Sequence, residues 1–129
     1  MFSTIAGISA GASLGALFRW GLSLLLNARF VHIPLGTLTA NLLGCFIMGL
    51  VMGIGEASPR FDPVWRVSLV TGFLGGLTTF SGFAAEVTLL VQQGRPMWAA
   101  LAVTAHVGGC LLLVLAGIGC AALLRHWTA

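Results

Sequence analysis

Residues 72–83 read Gly72-Phe73-Leu74-Gly75-Gly76-Leu77-Thr78-Thr79-Phe80-Ser81-Gly82-Phe83. Four glycines and three hydroxyl residues in twelve positions interrupt an apolar stretch that is longer than a simple membrane crossing needs. A helix running through such a segment is expected to break. At membrane depth a break frees backbone carbonyls and amides, and is tolerated only where it is buried in protein or lines a cavity. Freed carbonyls suit a hard cation such as Na⁺, and freed N–H groups at the next helix start suit anions. Transporters use broken helices in this way to hold ions.

The rest of the chain supplies the membrane. Of 129 residues, 58% are hydrophobic and 7% charged, and the mean hydropathy is +1.04. An ordinary soluble domain is about 25% charged. Six Arg, two Glu, one Asp and no Lys are too few to clothe a folded unit in water, so lipid is the expected outer solvent. Pro34, Pro59, Pro63 and Pro96 punctuate the sequence and divide it into four apolar stretches at about 2–26, 35–54, 65–91 and 97–124. Each is long enough to span. Loops are expected at 27–34, 55–64 and 92–96, within one transmembrane domain covering 1–129. The N-terminus is apolar from Phe2, without the basic start of a cleaved signal peptide, and is read as the first span.

Arginines normally mark the cytoplasmic loops. Here Arg60, Arg66 and Arg125 fall on the side of the termini, and Arg19, Arg29 and Arg95 on the other. Two readings fit this balance: insertion in both orientations with pairing of opposed copies, or one orientation fixed by weaker cues. The net charge of +3 is spread along the chain and forms no nucleic-acid patch. Cys45, Cys110 and Cys120 sit in apolar stretches and read as small packing residues. Gly7, Gly11 and Gly15, Ala40 and Gly44, Gly49 and Gly53, and Ala105 and Gly109 have the spacing that lets membrane helices approach closely.

Polar residues in the spans are the functional candidates, because each is costly in hydrocarbon. Thr37 and Asn41 share one face of the second span. Phe80, Phe83 and Glu86 follow the break at i, i+3 and i+6, with Ser81 beside them. A phenyl ring has a positive edge, which stabilises an anion without holding it as tightly as Arg, and conduction needs easy release. A Phe pair is also ordinary packing, and Asn41 alone reads as an interhelical hydrogen bond. Glu86 is the one carboxylate inside a span. His106 reads as a packed, hydrogen-bonding residue rather than a metal ligand, and no catalytic nucleophile motif appears.

Gly36-Thr37-Leu38, Asn41 with Gly44, Arg19-Trp20 and the GFLGGLTTFSGF run at 72–83 together resemble the Fluc/CrcB family of fluoride channels, over nearly the whole chain. The resemblance implies an all-α, dual-topology antiparallel homodimer with two fluoride pores, in a bacterial inner membrane, exporting fluoride passively. It implies Phe80 and Phe83 as pore phenylalanines, Asn41 as an amide donor near the vestibule, and Ser81, Thr37 and Glu86 as polar pore positions. It implies a structural Na⁺ on the two-fold axis, held by the backbone carbonyls of Gly75 and Thr78. The family often has Thr where this chain has Gly82, so one hydroxyl is missing from the polar track. The runner-up is a small dual-topology multidrug/proton exchanger, which wants a Glu deep in the first span; this chain has none there. A non-transporting membrane subunit is the third class.

Overall fold

A computed structural model describes residues 1–30, 32–55 and 62–128. Among them lie four helical spans long and apolar enough to cross a membrane: Phe2–Arg29, Leu35–Gly55, Pro63–Gln92 and Pro96–His126. No strand occurs among the described residues. The four expected spans are all present, with ends shifted by a few residues. Helix α1 is Phe2–Leu26, continued by one 3₁₀ turn at Asn27–Arg29. Helix α2 is Leu35–Gly55. The third span contains α3, at 63–77, and α4, Phe80–Gln92; the fourth is α5, Pro96–Thr128. Pro59 and Arg60 of the expected 55–64 loop lie outside the described residues.

The shifted ends have local causes. Asp62 accepts the Val64 amide at 2.8 Å and Pro63 occupies the first turn, so α3 begins before the sequence-predicted 65; Pro needs no amide partner there. Pro96 opens α5 in the same way. At the other end of α4, Gly94 adopts φ +69, and the Arg95 and Gly94 amides return to the Leu90 and Val91 carbonyls. This is a Schellman closure, which needs a residue free to enter the left-handed region. It makes the link from α4 to α5 a tight reversal. Asn27 Oδ1 accepts the Gly36 amide at 2.8 Å, so the end of α1 caps the start of α2.

Within α3, Ser68–Leu74 winds as a π-helix. At its start the Ser68 amide is shared between the Trp65 and Val64 carbonyls, and the Ser68 hydroxyl donates to Val64 O at 2.7 Å. The widened backbone lies directly on α1. A Cβ placed on Gly11 would come within 2.6 Å of the Ser68 carbonyl oxygen and 2.9 Å of the Phe73 amide, so the close approach of α1 to α3 requires glycine there. Helices α2 and α5 meet in a second seam, in which Gly49 packs on the backbone of Val114 and Gly117. Buried Ala40, Leu74 and Leu77 form the core beside the junction of α3 and α4, and Ile33, Leu90, Ala99 and Ala102 form another near the α4–α5 turn. Large apolar side chains such as Leu24, Leu25, Leu111, Leu112 and Leu115 face outward, as lipid contact requires.

Candidate functional site around the α3–α4 junction

Thr78 and Thr79 join α3 to α4 with extended backbone, at φ −83, ψ 153 and φ −149, ψ 116. Asn41 of α2 meets them. Its Oδ1 accepts the Thr79 amide at 2.7 Å, and its Nδ2 donates to the Thr79 carbonyl at 3.1 Å. One side-chain amide thereby satisfies both polar groups of a single peptide-chain residue, in the manner of a neighbouring strand. Asn41 is 8% exposed, and the clasp uses one of its two Nδ2 hydrogens. Thr79 in turn caps α4: its Oγ1 accepts the Gly82 amide at 3.0 Å and lies 3.2 Å from Ser81 Oγ.

These bonds decide which carbonyls are released. An unbroken helix would send the Thr79 amide to Gly75 O and the Gly82 amide to Thr78 O. Both amides are engaged elsewhere, by Asn41 and by Thr79 Oγ1. The Gly75 and Thr78 carbonyls, the two expected as Na⁺ ligands, thus lose their helical donors. Between them Gly76 O accepts from Arg19 Nε at 3.1 Å. That bond ties Arg19 of α1 to the junction. Hard oxygen donors of this kind fit Na⁺. Among the described residues no cluster of three or more His, Cys, Asp or Glu is placed to hold a metal.

Phe80 and Phe83 meet edge to face, with centroids 5.6 Å apart and planes at 66°. They differ in exposure: Phe83 is 7% exposed and Phe80 78%, so the stripe read from their spacing has one ring inside and one projecting. Phe83 also packs on His106 of α5, at 4.5 Å between centroids. The His106 Nδ1–H donates to Ala102 O at 3.0 Å. Gly75, Thr78, Asn41, Phe80, Phe83 and His106 line one cavity of about 440 Å³.

Thr37 and Glu86 form a separate pair: buried Thr37 donates its hydroxyl to Glu86 Oε1 at 2.5 Å. The Thr37 proton is therefore committed to the carboxylate and is no free donor. Glu86 Oε2 is buried without a partner. Thr37, Glu86 and Ser81 do not line the cavity holding the other candidates. Among the contacts that sequence reasoning missed are those of Phe83 with His106, Asn41 with the Thr79 backbone, and Arg19 with Gly76 O. Only the i, i+4 pairing of Thr37 with Asn41 hinted that α2 presents a polar face to the junction.

Known proteins resemble this chain over most of its length. The family described as CrcB-like protein, Camphor Resistance (CrcB), matches residues 6–118. A protein of Pseudomonas putida (strain W619) named fluoride-specific ion channel FluC is 50% identical over 118 residues, covering 92% of this chain and 93% of its own. Proteins of the same name from Tolumonas auensis (strain DSM 9187 / NBRC 110442 / TA 4) and Desulfovibrio desulfuricans (strain ATCC 27774 / DSM 6949 / MB) are 50% and 51% identical. The first covers 98% of this chain and 99% of its own length, the second 97% of each. With the family match reaching into all four helices and identities near one half over almost the full length, the chain belongs to the CrcB-like protein family.

Proposed function

We propose that this chain is a fluoride-selective channel and not an enzyme, and that it lowers cytoplasmic fluoride by passive export across a bacterial plasma (inner) membrane. The observation that carries the proposal is the Asn41 clasp on Thr79, which sets an aromatic pair and free hydrogen-bond donors around a cavity in an otherwise apolar chain. The names of the relatives support the same reading.

Fluoride is small and strongly hydrated, so a pore must replace its water with donors. The second amide hydrogen of Asn41 and the one hydroxyl proton that the Thr79–Ser81 pair does not use on itself supply them, and the Phe80 and Phe83 edges add a weak positive rim. None of these holds an anion as Arg would, so release stays easy. Two antiparallel copies form the working unit, with one pore on each side. The evenly divided arginines and the outward projection of Phe80 support that pairing. At the two-fold axis, the Gly75 and Thr78 carbonyls of both copies hold one Na⁺, which supplies a fixed positive potential favouring anions.

The test is efflux from liposomes carrying the purified protein, followed with a fluoride-selective electrode. Rapid fluoride release with chloride retained is the expected result. Absence of fluoride release, or chloride passing equally well, refutes the proposal.

A further inference from the structure

Cys45 of α2 and Cys110 of α5 line the same cavity as Asn41, Phe83 and His106, and both fall between the same two contacts of the α2–α5 seam, Leu42 with Gly109 and Gly49 with Val114. The backbones are close there. A Cβ on Gly109, the neighbour of Cys110, would lie 2.8 Å from Leu42 Cδ2, one turn before Cys45. Both thiols are free and half-buried, whereas Cys120 is exposed and lines none of this cavity. One turn before Cys110 stands His106, 3% exposed, with Nε2 buried and without a hydrogen-bond partner.

Two thiols in an apolar wall have a definite metal preference. Hard cations take oxygen ligands, while soft ones take thiolate sulfur. Structural zinc needs four ligands, and no cluster of three or more His, Cys, Asp or Glu is placed to bind a metal among the described residues. Two sulfurs on facing helices of one cavity wall suit instead an ion that accepts linear coordination by two. We propose that Cys45 and Cys110 form a two-thiol site for one soft cation of the mercuric class, and that the bound metal obstructs the cavity they line. The reaction is two thiols plus Hg²⁺ giving S–Hg–S and two protons, with no change of oxidation state. One proton has an acceptor at hand in the unpartnered His106 Nε2, and the other leaves to water. The obstruction rests on the fluoride-channel reading; the metal binding does not.

The test uses the full chain carrying Cys120→Ser, which leaves only the pair. One equivalent of mercuric chloride per chain is added, the protein is washed with a monothiol, and the remaining thiols are counted by maleimide labelling and mass spectrometry. The expected result is that one mercury per chain survives the wash and protects both thiols. It is lost from the further variants Cys45→Ser and Cys110→Ser. If one equivalent protects only one thiol, or the wash strips all three proteins alike, the site is refuted. In liposomes, the same treatment is expected to stop fluoride efflux by the Cys120→Ser protein until a dithiol is added. Mercury bound by both thiols with efflux unchanged overturns the obstruction. If the untreated protein shows no efflux, the channel reading fails while the thiol count still decides the site.

Discussion

Replacing Asn41 with leucine removes the clasp while keeping the side chain near its original volume, so a cavity contributes little to the outcome. Two hydrogen bonds are lost, to the Thr79 amide and carbonyl at 2.7 and 3.1 Å. In membrane proteins such side-chain bonds average about 0.6 kcal/mol each. Stranding a buried donor costs more, about 1–3 kcal/mol, and the Thr79 amide is stranded as long as the junction keeps its shape. The expected loss is therefore about 2 kcal/mol. The chain can relieve it by returning the Thr79 amide to Gly75 O, which heals the helix and withdraws one freed carbonyl. Either outcome alters the cavity. The assay pairs equilibrium unfolding in mixed dodecylsulfate micelles with fluoride efflux from liposomes. Earlier unfolding, or unchanged unfolding with the Thr79 amide still protected from hydrogen exchange despite the loss of Asn41, is expected together with an efflux loss of at least about tenfold, the equivalent of about 1.4 kcal/mol. Wild-type unfolding with wild-type efflux would show that the clasp organises nothing.

Three further outcomes are expected. Thr37→Val removes the hydroxyl bonded to Glu86 Oε1 at 2.5 Å; a buried group left without its partner costs about 1–3 kcal/mol, so the protein unfolds earlier by that amount, whereas Thr37→Ser keeps the wild-type stability. Gly11→Ala forces α1 off the backbone at Ser68 and Phe73 and lowers the yield of folded protein in size-exclusion chromatography; Gly21→Ala, with open space around the new methyl, leaves the yield unchanged. Phe80→Ile removes the projecting ring edge and abolishes or greatly slows fluoride efflux while the oligomer remains intact by crosslinking; full efflux would take Phe80 out of the pore.

What was legible in the sequence follows from the length of the physical signal. Four spans were readable because about 20 apolar residues in a row have few alternatives, and because Pro63 and Pro96 mark helix starts. The glycine pairs of α1 and α2 were readable as packing surfaces, but not their partners, since spacing says which face is small and not what lies against it. The same limit hid the common cavity wall of Cys45 and Cys110 and the meeting of Phe83 with His106: residues 65 and 23 positions apart in the chain come together only through the register of α2 and α4 against α5. The polar character of Asn41 and Thr37 was visible, but their partners differ: one takes a backbone peptide, the other a carboxylate. The π-helical turn at Ser68–Leu74 left no signal in the spacing of apolar and small residues.

The Asn41 clasp also bears on the order in which the protein is made. Asn41 precedes Thr79 by 38 residues, so α2 has already left the ribosome when the junction emerges. The amide that will take the place of a peptide group is waiting in the bilayer, and 63–92 need never close into a continuous helix. A circular permutant that synthesises α2 last would first complete that helix in lipid and then have to open it, exchanging backbone bonds for side-chain ones where no water assists. Its assembly is expected to be slower than that of the natural order, although the finished contacts are the same.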